Sequence, residues 1–227
     1  MQRRDFLQKL ISAAAAGIAL TACSPSSNAQ TVNPGETKSN SDTIKGSTKK
    51  MKIVVLTGSP RKNGNTNYMA DRFIAGVKEA GHEVYKFDCA QKDISGCIGC
   101  NHCNMNGPCI YDDDFTQLRP KLIEADLVAF VSPMYYFGFS SQLKRVIDRF
   151  YAINGQIKGA SKKAVFMMAY ADTAQSEAEA MTGHYKTLIK YLGWKDAGMV
   201  IASGVWTAGS IKNTKYGDEA YKLGKGL

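Results

Sequence analysis

The rhythm of apolar and polar positions changes at Lys50. Beyond it, short apolar runs alternate with amphipathic stretches of helical period to the end of the chain. Lys52 to Thr57 (KIVVLT) is almost continuously apolar, as a strand buried on both faces should be. From about Thr66 to Ala80, residues Met69, Phe73 and Val77 recur at four-residue steps, which predicts a helix that Gly81 stops. His82 to Phe87 alternates as a second strand. Leu127–Val131, Ala164–Ala169 and Met199–Ala202 read as three more strands. Between them, one helix is opened by Asp112 to Asp114 as cap and first-turn acids and reaches Glu124. A second carries Leu143, Val146, Ile147 and Phe150 on its inner face, and a third carries Met181, Tyr185, Leu188 and Leu192. A short helix near Tyr216–Leu223 closes the chain. This alternation predicts one α/β domain over 51–227: a doubly wound, five-stranded parallel sheet of order 2-1-3-4-5 with helices on both faces.

The first fifty residues follow no such pattern. Arg3, Arg4 and Lys9 precede an apolar run from Leu10 to Leu20, too short to span a bilayer and laid out like a secretory core segment. Arg3-Arg4 followed by Phe6-Leu7 resembles a twin-arginine export signal. Leu20-Thr21-Ala22-Cys23 resembles a lipobox, which implies removal of residues 1–22 and acylation of Cys23. Residues 23–50 are rich in Ser, Asn, Thr, Lys and Gly and too poor in apolar groups to fold. A flexible tether of that length has an end-to-end distance of roughly 30 Å. The expected location is the cell envelope, on the periplasmic side of a membrane, held there by the lipid.

Composition refines this picture only a little. Of 227 residues, 44% are hydrophobic and 22% charged, so the bulk of the chain is globular. The net charge is +9, but seven basic against three acidic residues fall in the first fifty positions. No nucleic-acid recognition motif accompanies the charge, so nucleic acid is not an expected partner.

The chemistry sits in the loops. Gly58-Ser59-Pro60-Arg61-Lys62-Asn63-Gly64-Asn65-Thr66 joins the first strand to the first helix. Unpaired N–H groups and the positive dipole end at a helix start favour an anion there. Ser59, Asn63, Asn65 and Thr66 add short polar side chains and Arg61 adds charge. The loop has neither the Walker ending nor the dinucleotide glycine pattern. It is similar to the phosphate loop of the NADPH-dependent FMN reductase and iron–sulfur flavoprotein families. A second match is Ser132-Pro133-Met134-Tyr135-Tyr136-Phe137-Gly138, followed by Leu143 to Arg149. The resemblance implies a flavodoxin-like fold that binds FMN. The phosphate would lie in the first loop, and the ring against Pro133, Met134, Tyr135, Tyr136, Phe137 and Gly138. Asp172, after the fourth strand, is a candidate for a third side of the site, flanked by Tyr170.

Cys97-x2-Cys100-x2-Cys103-x5-Cys109 places four thiols within thirteen residues. Such spacing lets thiolates converge on one centre. Zinc, two disulfides or an empty site also suit it. The pattern resembles the compact motif with which iron–sulfur flavoproteins hold a [4Fe–4S] cluster. Cys89 stands apart at a strand end and is expected in the core.

No residue stands out as an obligatory acid or base, which suits chemistry carried by a flavin. The expected activity is an FMN-dependent, NAD(P)H:FMN reductase-like oxidoreductase or electron-transfer flavoprotein, relaying electrons through a cluster where one is bound. Its partners are an electron donor and acceptor, a membrane through the lipid, and a second copy, since the resemblance implies a homo-oligomer. The alternatives are a cluster-free quinone or nitro-compound reductase and a non-enzymatic metal-binding lipoprotein.

Overall fold

A computed structural model describes residues 49–227. The export signal, the Cys23 lipobox and nearly all of the tether lie outside the described residues. Five parallel strands, β1 (Lys52–Thr57), β2 (Glu83–Asp88), β3 (Leu127–Tyr135), β5 (Lys163–Ala169) and β6 (Lys195–Ala202), form a sheet ordered β2-β1-β3-β5-β6. Counting these strands alone, the order is the one the alternation predicts. The addition is β4 (Gly138–Phe139), which runs antiparallel to β3 with Met134 opposite Phe139 and Tyr135 opposite Gly138. The third strand is therefore longer than the expected Leu127–Val131, because its end turns back as a hairpin.

Both sheet faces are covered, which is why the strands read as unbroken apolar runs. Val54 and Leu56 point into one core, with Leu118 and Leu122 from α2 (Phe115–Glu124), Leu143 and Val146 from α3 (Ser141–Asp148), and Met181 and Tyr185 from α5 (Glu179–Leu192). Ile53 and Val55 point into the other, against Met69, Phe73 and Val77 of α1 (Asn65–Glu79) and Ala220 of α6 (Tyr216–Lys225). A short helix, α4 (Asn154–Ile157), follows a 3-10 segment at Arg149–Ile153. Cys89 is fully buried beneath the sheet edge, and burial pushes its thiol well above the usual range.

Asp114, the residue at the start of α2, makes no side-chain capping bond; its carboxylate accepts from the Asp93 amide at 2.8 Å. Asp113 accepts from the Phe115 amide at 3.0 Å, as a cap would, but it also holds Arg149 at 2.7 Å in a buried ion pair. Among the described residues no helix is long and apolar enough to cross a membrane.

Candidate functional site

β1 and β3 are neighbours whose chains leave toward opposite faces, so a crevice opens at their carboxyl ends, where open α/β sheets bind ligands. A cavity of about 260 Å³ lies there. One wall is the loop after β1. Ser59 is buried, and its hydroxyl accepts from the Arg61 amide at 3.2 Å. Asn67 donates to the Arg61 carbonyl at 2.9 Å, which fixes the loop's curve. Gly64 caps α1 without any side chain satisfying the helix start. Thr66 is 2% exposed, and its hydroxyl has no partner. Ser59, Arg61, Gly64, Asn65 and Thr66 all line the cavity, whereas Asn63 is exposed and does not.

Asn65 is occupied. Its amide nitrogen donates to the carbonyls of Val205 at 3.0 Å and Thr207 at 2.9 Å, and its oxygen accepts from the Gly209 amide at 2.9 Å. It fastens the loop after β6 to the start of α1. That loop supplies Val205 and Trp206 as a further wall, with Trp206 77% exposed. Sequence inspection missed both residues. The available signal was their place in the loop that follows the last parallel strand at the same edge of the sheet.

The opposite wall is Pro133, Met134 and Tyr135 at the end of β3, with Ala169 at the end of β5 and Tyr170 and Ala171 beyond it. Burial holds the Tyr170 phenol above its ordinary pKa, and it donates to the Ala174 carbonyl at 3.2 Å. Tyr136, Phe137 and Gly138 lie outside the cavity lining. Tyr136 and Phe137 form the hairpin tip with φ of 44° and 63°, a left-handed pair that aromatic residues rarely adopt. The tip is held to the first loop from below. Ser132 accepts from the Ser140 amide at 3.0 Å, and the Ser140 hydroxyl donates to the Gly58 carbonyl at 2.7 Å. Asp172 also lies outside the lining. Its carboxylate accepts from the Thr173 and Ala174 amides at 2.6 and 2.9 Å, which makes it a turn-former.

The cysteine loop forms a second locus. Cys97, Cys100, Cys103 and Cys109 are all free thiols that line one small hollow with Tyr111, Tyr151 and Arg149. Among the described residues, no three His, Cys, Asp or Glu side chains converge to metal-ligating distance. Left-handed backbone at Gly99, Asn101, Asn104 and Met105 coils the loop tightly. Behind it, Arg149 is 1% exposed and bonds to Asp113 and to the Ser95 carbonyl, the latter at 2.9 Å. In the sequence, Arg149 stands only as the end of the second family-like segment, Leu143 to Arg149, with no part assigned to it in the cysteine loop.

Residues 51–209 match the NADPH-dependent FMN reductase family. A protein of Archaeoglobus fulgidus named an iron–sulfur flavoprotein is 34% identical over 157 residues, covering 68% of this chain and 70% of its own. An iron–sulfur flavoprotein of Methanocaldococcus jannaschii is 38% identical over 99 residues, covering 44% of this chain and 51% of its own. Among solved structures, an NAD(P)H:quinone oxidoreductase from Methanothermobacter marburgensis superposes with a TM-score of 0.64 at 19% identity. That likeness covers 78% of this chain and 96% of the other, and it shows the fold.

Proposed function

The chain belongs to the NADPH-dependent FMN reductase family and is a flavin-dependent oxidoreductase; from that premise we propose that it works outside the cytoplasm, tethered by a lipid on Cys23, with FMN in the main crevice and a [4Fe–4S] cluster in the cysteine loop. The observation that carries the FMN placement is the start of α1, where no side chain caps the helix and Thr66, whose buried hydroxyl has no partner, lines the cavity. Buried polar groups are normally satisfied, so a missing acceptor is expected there. A phosphate suits that position in chemistry and charge.

Ser59, Arg61 and Thr66 would hold the phosphate, Arg61 from the exposed rim. Asn65 acts one step removed, by holding the Trp206 wall in place. Pro133, Met134 and Tyr135 would orient the ring's flat face, and Trp206 would exclude water from its other side. When bound, FMN supplies the centre that exchanges electrons with donor and acceptor. Asn63, Gly138 and Asp172 shape neighbouring turns in this scheme.

The cluster rests on the donor set. Four thiols, all free, border one hollow on a tightly coiled loop, and the relatives of similar sequence are named iron–sulfur flavoproteins. Cys97, Cys100, Cys103 and Cys109 would be the ligands. The separation of the thiols favours one competing form, a cluster-free quinone or nitro-compound reductase. A purely non-enzymatic lipoprotein gives way to the family membership.

Anaerobic purification of the full chain tests both parts. A flavin spectrum with about one FMN per chain, and iron matched by acid-labile sulfide, is the expected result. Protein that stays colourless after incubation with FMN overturns the flavin site. Zinc, or a disulfide in the motif, overturns the cluster. An exported enzyme has no ready supply of NADPH, so a membrane quinol or a redox protein is the proposed donor. Faster flavin reduction by NADPH, together with a cytoplasmic location, overturns that part.

A further inference from the structure

We propose that the end of the domain opposite the crevice is a lipid-docking face, which settles on an anionic bilayer and turns the crevice away from it. The proposal rests on the envelope location and the Cys23 anchor put forward above.

In a parallel sheet every strand enters at one end, and the crossover helices run back to it. The crevice lies at the other end, so the strand entries form the base of the domain. Charge divides sharply between the two. Twelve lysines and five acids lie at the opening of one of the five parallel strands or at the close of a helix that runs back to it. The other twelve basic and twelve acidic residues of 49–227 cancel. The base therefore carries the whole net positive charge of the domain.

Part of that charge has a local explanation. Lys78, Lys121, Lys190 and Lys222 stand in last helical turns, where cations suit the dipole. Lys50, Lys52 and Lys225 pair with Glu83, Glu124 and Glu79. Lys162 is 4% exposed and gives its ammonium to the Ile123 and Ala125 carbonyls at 2.7 and 2.6 Å, a clasp on the end of α2. Lys163 and Lys195 have no such account. They open β5 and β6 as register partners, on strands about 5 Å apart. Among the described residues neither makes an ion pair. Asp196, next in sequence, accepts instead from the Tyr185 hydroxyl and the Gly198 amide, both at 3.0 Å. Like charges side by side weaken a sheet, and an external anion relieves them.

The course of the chain selects the anion. It joins the domain at this same end, where Lys50 meets Glu83 and the Met51 carbonyl accepts from the Glu83 amide at 2.9 Å. A tether from Cys23 thus leads from the bilayer to the base. Anionic headgroups attract lysines within a Debye length, about 8 Å at physiological salt. The tether supplies proximity, and the lysines supply orientation.

The test is sedimentation of the full chain, carrying Cys23→Ser so that no acyl group contributes, with two kinds of vesicle. One is phosphatidylcholine alone, and the other is equal parts phosphatidylcholine and phosphatidylglycerol. The expected result is binding to the mixed vesicles that added salt weakens. Lys163→Glu with Lys195→Glu should bind them at least about tenfold more weakly, and the milder Lys163→Gln with Lys195→Gln should lose in the same direction. Lys212→Glu with Lys215→Glu makes the same change in net charge at the crevice end and should stay within about threefold of the parent. Equal losses in the two charge-reversed proteins, or no loss in the base variant, overturn the docking face. Trp206, 77% exposed beside the crevice, should keep its fluorescence on vesicles with brominated acyl chains. Quenching that disappears in Trp206→Phe overturns the orientation. The anchor fails separately: wild-type protein whose Cys23 carries no acyl mass overturns that reading and leaves the vesicle result standing.

Discussion

Asn65 donates its side-chain amide to the Val205 carbonyl at 3.0 Å, a bond that joins residues 140 positions apart. Four further contacts, to Thr207, Gly209, Ser210 and Ile211, saturate the same side chain. An asparagine in a phosphate-type loop thus serves the opposite wall of the crevice. Asn65→Ala strips partners from several backbone groups, each worth about 1 kcal/mol. The expected outcome is a loss of about 1–3 kcal/mol in denaturant unfolding and at least tenfold weaker FMN binding by fluorescence titration. Unchanged FMN affinity would show that the Trp206 wall does not need this clasp.

Gly58 has no room for a side chain. A Cβ there would lie 2.4 Å from the Ser140 hydroxyl and 2.8 Å from Leu143 Cβ. Ser140 also caps α3 through the Leu143 amide, so any shift is felt by the phosphate loop and the β3–β4 hairpin together. Gly58→Ala should destabilise by about 1–3 kcal/mol, the usual cost of overpacking. In the double variant with Ser140→Ala the two losses should fall short of additivity, because the second change removes one clash of the first. Strict additivity in thermal unfolding would refute this coupling.

These two contacts mark what was legible in the sequence and what was not. The sheet order was legible because strands buried on both faces leave unbroken apolar runs, and because crossover helices restrict the topology. That Ser59, Arg61, Asn65 and Thr66 share one wall of the crevice was legible because they fall within one short loop of nearly consecutive residues. The bond from Asn65 to Val205 was not, since no local pattern encodes it. Asp172 shows the converse: its position after a strand suggested a site, and its carboxylate went to two adjacent amides. The β4 hairpin was hidden for another reason. Left-handed turns of this kind normally announce themselves with Asn-Gly, and here the residues are Tyr136 and Phe137.

That turn stores strain. Tyr136 is fully exposed and Phe137 half exposed, so neither gains burial to offset its left-handed backbone. Tyr136→Asn with Phe137→Gly should stabilise the apoprotein by about 1–3 kcal/mol, seen as a higher Tm. FMN affinity should stay within about threefold, because neither side chain lines the cavity. A large loss of affinity at raised stability would show instead that the tip folds over the bound ring.

Acid sensitivity should centre on the pair behind the cysteines. Burial alone would push the Asp113 carboxyl up, but bonds from Arg149 and from the Ser95 and Phe115 amides carry it below the ordinary range. A carboxyl depressed in the folded state contributes stability that is full above its unfolded pKa, ~3.9, and lost as pH falls through the folded value. Wild-type stability should therefore decline below about pH 4 with a slope that Asp113→Asn lacks. The variant should also be weaker at neutral pH, because it leaves Arg149 buried beside a neutral partner, a change that commonly costs about 3–5 kcal/mol. Urea unfolding of the metal-free protein at several pH values measures both effects. Parallel pH profiles for the two proteins would mean that the carboxylate is not the acid-labile group and that acid acts elsewhere in the fold.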